Sequence, residues 1–313
     1  MTAAGRPISR LAEAAAGRRL FRHVPLRPDL VARMRAEAAA LGDGAPDVID
    51  LWDRVRKDLR RQLLTGDPAD FLHWPAVEQT MVIRRHRRVA AALSHLRARE
   101  DWRRRWRPAV REITLGRPRP LPRCPWSSAN MIFHAYHLCR FEEATGRALE
   151  SMPIIVEFGG GYGRLCQLAH DLGFRGTYVI FDLPEVAVLQ RFYLRHVGIA
   201  VSDARGAAWP AEGAVTVVDV AELSALLRRR PRGGAAFVAV GSLSEAPLAL
   251  RETLRAEVES FDAFLIFYAA QHDAFDNRAY FARWRTTLPD HAWRDVETPH
   301  FGKSPAYLIG HRP

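Results

Sequence analysis

Ile154-Ile155-Val156-Glu157-Phe158-Gly159-Gly160-Gly161-Tyr162-Gly163 runs from an apolar strand into a glycine-rich turn. A helical stretch follows, and then Tyr178-Val179-Ile180-Phe181-Asp182, a second apolar strand ending in an acid. Strand, glycine turn, helix and strand make one half of a nucleotide-binding α/β sheet. The glycine spacing narrows the ligand. A dinucleotide fingerprint needs G-x-G-x-x-G/A. Counted from Gly159 its last position falls on Arg164, and from Gly161 on Cys166, so neither register supplies it. What is present is E-x-G-x-G-x-G, through Glu157, Gly159, Gly161 and Gly163.

That spacing resembles the cofactor loop of class I S-adenosylmethionine (SAM) methyltransferases. The residue types suit the ligand, which carries an adenosine, an α-amino acid and a sulfonium. Glycines let the backbone approach closely and adopt positive φ. Glu157, ending the first strand, can accept from the amino group directly or through water. Asp182 ends the second strand and can take both ribose hydroxyls. It follows Gly163 at about the 20-residue offset of a ribose acid in a βαβ unit. The competing reading is a glycine turn flanked by structural acids.

The chain has 313 residues, 48% hydrophobic and 26% charged, ordinary for a soluble globular protein with room for a core and an accessory region. No run approaches the ~20 apolar residues of a membrane span. Arg6 and Arg10 precede no apolar segment, so a secretory signal is not expected, and an ordinary solvated helix fits better than a transit peptide. Cys124, Cys139 and Cys166 are odd in number and widely spaced, as for reduced cytoplasmic thiols. The net charge is +11, and Lys57 and Lys303 are the only lysines. An arginine and alanine skew of this kind reflects coding bias toward GC-rich codons and weakens a functional reading of the charge. A basic surface still attracts anions such as nucleotides, phosphorylated sugars or RNA.

Residues 1–125 read as a helical N-terminal region, supplying a lid, acceptor pocket or dimer contacts, and 126–313 as the SAM-binding domain. Helical spacing covers Arg27 to Leu41, Asp47 to Leu64 and, after a break at Phe71–Pro75, Ala76 to Trp106. The last carries many arginines, among them Arg84, Arg85, Arg99 and Arg105, with Trp102 and Trp106 on one face. A solvated helix packing its tryptophans inward is preferred there to a nucleic-acid patch, because no RNA-binding module is recognisable. Residues 116–126 are proline-rich and read as an extended linker. Ser127 or Ser128 then caps a helix to about Thr145, with His134 and His137 on one side, both expected to be structural. Further strands are expected at Val215–Val218, Ala235–Val240 and Ala263–Tyr268, with helices at Ala221–Arg229, Leu248–Glu259 and Tyr280–Leu288. Trp293–Val296 and Ala306–Ile309 read as an antiparallel edge hairpin. The fold class is therefore α/β, a doubly wound, mostly parallel Rossmann-like sheet of the class I methyltransferase kind.

Ligands bind outside the carboxyl ends of such strands. Asp219, after the third strand, either accepts from the adenine amino group or caps the next helix. The loops Gly241–Pro247 and Gln271–Arg278 should flank the transferred methyl group. With the glycine loop, Asp182-Leu183-Pro184, Ser242-Leu243-Ser244-Glu245-Ala246-Pro247 and Asp276-Asn277 followed by Tyr280-Phe281 and Trp284, the chain resembles the sugar O-methyltransferases of bacterial glycan and natural-product pathways over roughly residues 70–310. Ala246 departs from that family's pattern, where methionine is expected.

The resemblance implies SAM as cofactor and a sugar-containing small-molecule acceptor in the cytoplasm. It implies no specific nucleic acid and no membrane partner, and a homo-oligomer stays open. Sugar hydroxyls are weakly acidic, so a base is useful. His272 is the first candidate, Glu245 the second and His300 the third. A magnesium alternative would use Glu245, Asp276 and Asn277 as oxygen ligands, whereas Asn277 otherwise caps the following helix. An RNA or protein methyltransferase is the first rival, although the Asn/Asp-Pro-Pro-Tyr loop of adenine N-methylation is missing. A non-catalytic nucleotide-binding or scaffolding protein of the same fold is the second.

Overall fold

A computed structural model of the chain describes residues 19–42, 50–83, 86–202, 209–219, 222–272, 275–294, 296 and 305–313. The readings placed on residues 1–18, on Arg84 and Arg85 and on His300 lie outside these. The apolar run Ile154–Phe158 forms β3, buried at every position. It lies at the middle of an eight-stranded sheet in the order β11-β12-β8-β7-β3-β4-β6-β5. The parallel strands are β3, β4 (Thr177–Asp182), β5 (Val201–Ser202), β6 (Val215–Asp219), β7 (Ala235–Val240) and β8 (Ala263–Ala269). β12 (Pro305–His311) runs antiparallel to both β8 and β11 (Ala292–Arg294), which is the expected edge hairpin. The chain winds outward from β3 through β4 to β6, then returns to the other side of β3 at β7. The crevice between β3 and β7 is therefore the switch point where such sheets bind ligands.

The two sheet faces are covered by separate cores. On one face a single cluster runs from Met34 to Ile309 and takes in Phe71, Trp106, Tyr136 and Tyr178. On the other, Phe237, Phe264 and Trp284 pack beneath the helices Leu223–Leu227, Leu248–Val258 and Asn277–Thr286. The first cluster includes helix α1 (Pro28–Ala39), α2 (Asp50–Thr65), α3 (Pro75–Thr80) and α4 (His86–Arg97), so the described helices before residue 100 share a core with the sheet. The buried Arg56–Glu185 pair, at 2.8 Å, and Glu37 with Arg191 and Arg195 fasten α1 and α2 to the helix Pro184–His196 that follows β4.

Three expectations change. The single helix expected over Ala76–Trp106 is interrupted after Thr80 and again after Arg97, and Trp102–Trp106 is a π turn. The first interruption has a visible cause. Asn130 accepts from the Ile83 amide at 2.8 Å and donates to the Met81 carbonyl at 2.7 Å, replacing helical hydrogen bonds with side-chain ones. The linker expected at 116–126 contains a small hairpin, β1 (Pro120–Leu121) on β2 (Cys124–Ser128). The residues expected to loop after β8 pair as β9 (Gln271–His272) and β10 (Phe275–Asp276). Helix α5 (Ala129–Thr145) begins as expected, with Ser128 Oγ accepting from the Met131 amide, and stops at Gly146 in the left-handed region. Among the described residues no helix is long and apolar enough to cross a membrane.

Candidate functional site

The glycine loop leaves β3 with its ladder intact, the Gly159 amide donating to the Phe181 carbonyl at 2.8 Å. Gly159 has φ +71°, and a Cβ built there would lie 2.2 Å from that of Ser242, so no larger residue fits. Gly161 and Gly163 also have positive φ, and Gly163 is the N-cap of helix α6 (Arg164–Leu172) without a side-chain cap. That helix end therefore presents amides toward the loop. Glu157 is buried and accepts from Tyr178 Oη at 2.8 Å. Burial, with the charge of Asp182 added, pushes its carboxyl up to about 8. Asp182 accepts from the Leu183 amide at 2.8 Å and from Gln190 Nε2 at 2.7 Å, yet burial still pushes it up to about 7. Gln190 also donates to the Gly161 carbonyl at 2.8 Å, so one side chain braces the acid against the loop.

A cavity of about 950 Å³ opens here, lined by the carboxyl ends of β3, β4, β7 and β8. Glu157, Gly159, Gly161 and Asp182 line it, and so do Ser242, Ser244 and Glu245 from the loop after β7. Its size is at the upper end for ligand pockets, room enough for a nucleoside cofactor and a second small molecule. Trp52 on α2, Glu78 to Ile83 and Arg88 also line it. Asp219 pairs in register with Asp182 at the end of β6, but among the described residues it is not part of the lining.

Glu245 accepts from Trp52 Nε1 at 3.1 Å, a bond that joins two lining residues far apart in sequence. His272 belongs by its backbone to the β9–β10 hairpin just beyond β8; its side chain lies outside the description. The magnesium set is corrected. Asn277 is fully buried and its Oδ1 accepts from the Arg251 guanidinium at 2.6 Å, while its amide donates to the Ala269 carbonyl. An oxygen already facing a guanidinium is a poor ligand for a second cation. Asp276 is exposed and caps the next helix by accepting from the Ala279 amide, the role expected of Asn277. Among the described residues the one group of His, Cys, Asp or Glu at metal-ligand spacing is His95, Cys139 and Glu143, outside the cavity lining. There Glu143 is held by His95 at 2.8 Å and Arg140 at 3.1 Å.

Sequence reading missed part of the lining. His134, expected to be structural, lines the cavity with Phe133, and its Nδ1 is buried without a partner. Burial and the neighbouring Arg164 charge hold His134 down near about 3, so it is neutral at pH 7. Arg164 also lines the cavity and is almost wholly buried. It pairs with Glu112 at 2.8 Å and lies between the rings of Tyr162 and Tyr193, with Nη2 left unpartnered. His137, by contrast, is structural as expected, its Nδ1 against Tyr307 Oη at 2.6 Å. Trp102 and Trp106 are buried, and Arg99 and Arg105 pair with Glu142 and Asp101.

No family model matches the chain, and no significant match to a curated protein was found. Solved structures are similar to it at low identity. The mitomycin 7-O-methyltransferase MmcR is 14% identical with a TM-score of 0.38, over 98% of this chain and 97% of that one. An O-methyltransferase family protein from Burkholderia thailandensis is 13% identical with a TM-score of 0.37, over 59% of each chain. Human N-acetylserotonin methyltransferase, solved with SAM, is 10% identical with a TM-score of 0.37, over 84% of this chain and 66% of that one. The strand order itself, with antiparallel β12 set between β8 and β11, makes this a class I methyltransferase-like Rossmann fold.

Proposed function

We propose that the protein is a SAM-dependent O-methyltransferase whose acceptor is a sugar hydroxyl. The observation that carries the reading is one cavity lined by two chemically distinct sets of residues. One is the positive-φ glycine loop with Glu157 and Asp182, the set that suits an adenosine bearing an amino acid. The other is an indole hydrogen-bonded to a carboxylate, Trp52 and Glu245, a pairing suited to a sugar's apolar ring face and its hydroxyls.

Asp182 would hold the ribose and Glu157 the amino group. When bound, SAM supplies an electrophilic methyl group on a sulfonium. The protein's part is to orient the acceptor oxygen and exclude water, effects that supply much of the rate in such transfers. Glu245, steadied at Oε2 by Trp52, would take the proton of the acceptor hydroxyl, with His272 as the alternative base. No step is assigned to magnesium.

The test follows labelled methyl from SAM into a panel of methyl glycosides, with RNA as a second acceptor class. Transfer to a glycoside is expected, lowered about 10²–10⁴-fold by loss of the true base in Glu245→Gln or His272→Ala. Asp182→Ala should instead weaken cofactor binding by about 1–3 kcal/mol. Label entering RNA alone, or full turnover in both base variants, would overturn the assignment.

A further inference from the structure

The loop after β7 is held by a side chain that is not itself part of the cavity lining. Arg251, in the helix Leu248–Val258, is only 4% exposed. Its Nε donates to the Ala246 carbonyl and its Nη2 to the Ser244 carbonyl, both at 2.6 Å, so the fork takes the carbonyls of both residues flanking Glu245. Its Nη1 donates to Asn277 Oδ1 at 2.6 Å, and the Asn277 amide reaches the Ala269 carbonyl, the end of β8, at 2.9 Å. The rings of Phe275 and Tyr280 cover the guanidinium, their centres at 4.6 and 5.7 Å. Ser244, Glu245, Ala246 and Ala269 all line the cavity. One buried cation therefore ties the lining loop after β7 to the lining end of β8.

Stability alone does not call for this arrangement. All three hydrogen bonds of Arg251 go to neutral oxygens, and among the described residues no carboxylate is bonded to it. A buried cation of this kind costs more than an apolar side chain of similar volume. What the guanidinium supplies is geometry, a rigid plane of N–H groups that meets oxygens of three residues at once. Glu245 is then held twice, its side chain by Trp52 at 3.1 Å and its backbone on both sides by Arg251. We infer that Arg251 is a positioning residue for methyl transfer, fixing through the Ser244 and Ala246 carbonyls the place from which Glu245 takes the acceptor's proton, with Asn277 as its anchor to β8. In that step the acceptor oxygen bonds the methyl carbon, the carbon–sulfur bond breaks with its electron pair going to sulfur, and the hydroxyl proton passes to Glu245. The inference rests on the role proposed above for Glu245.

A double-mutant cycle tests it, with turnover counted per site that binds S-adenosylhomocysteine, so that unfolded protein does not enter the ratio. Arg251→Lys should lower kcat on a methyl glycoside about 10–100-fold, the scale of a misplacement of about 1 Å. Acceptor KM and S-adenosylhomocysteine affinity should stay within about twofold of wild type, since the lost effect belongs to the transition state. In a Glu245→Gln background the same substitution should change kcat by less than about twofold, because the group it positions is already gone. A merely structural arginine would lower the melting temperature and the number of binding sites but not the turnover of each. Should Arg251→Lys bind no S-adenosylhomocysteine, Asn277→Ser, which leaves the fork on the loop and removes its anchor, is read in the same cycle, with a loss of about 3–10-fold expected. Unchanged kcat per site, or an equal fall in both backgrounds, would overturn the inference and leave the methyltransferase reading standing. So would full turnover in Glu245→Gln, which points to His272 as the base. A wild type that methylates no glycoside fails the reading itself, and the inference falls with it.

Discussion

Glu157 and Asp182 end neighbouring parallel strands, and both hold their protons far longer than free carboxyls do. Glu157 would ionise near 4.5 in the unfolded chain and does so near about 8 in the folded one. Its contribution to stability is thus fully present below the lower value and is lost as pH rises through the upper one. Other buried groups titrate over this range, His134 in the opposite sense, so the comparison is between variants. Relative to wild type, Glu157→Gln should melt at a higher temperature at pH 8 than at pH 5. The same shift makes cofactor binding proton-linked. An ammonium placed against Glu157 favours the carboxylate, so binding S-adenosylhomocysteine at pH 7 should release protons. Calorimetry in buffers of different ionisation enthalpy measures this, and Glu157→Gln should abolish most of it.

The element that shapes the cavity is a break. Between α3 and α4 the chain leaves its helix at Met81–Ile83, and Asn130 at the start of α5 takes over the hydrogen bonds. Asn130 also donates to Tyr162 Oη at 3.0 Å, so the break is tied to the glycine loop. Asn130→Ala would leave an amide and a carbonyl unmet, costing about 1–3 kcal/mol for each that stays dry. Urea denaturation should show a loss of that order, with no change in slope. This region explains what was legible in the sequence and what was not. β3, β4, β7 and β8 are short apolar runs bounded by glycine or acid, a local signal, and the glycine loop is local too. The arginine-rich run from Ala76 keeps helical spacing through the break, because the residue that breaks it lies 47 positions away in sequence. Trp52 and His134 reach the cavity for the same reason: tertiary packing, not local pattern, brings them there, whereas Arg164 simply follows the glycine loop.

At the scale of the whole molecule, the helices before residue 100 and the sheet share one apolar cluster and a buried ion pair. They should therefore unfold together. Fluorescence and circular dichroism should give coincident transitions, and two separated transitions would show that the N-terminal helices are an independent unit. Arg56→Met should cost about 3–5 kcal/mol by stranding Glu185, and adding Glu185→Leu should recover much of the loss, since a buried pair replaced as a unit is often nearly neutral.

The Trp52–Glu245 bond has an optical consequence. Of the chain's eight tryptophans, Trp52 is the one on the described cavity wall. Its indole is a fluorophore hydrogen-bonded to an ionisable side chain of the same lining. Filling the cavity should change its emission, and the difference spectrum between wild type and Trp52→Phe isolates that signal from the other seven. The protein thus carries its own probe for screening sugars, readable before any methylated product is known.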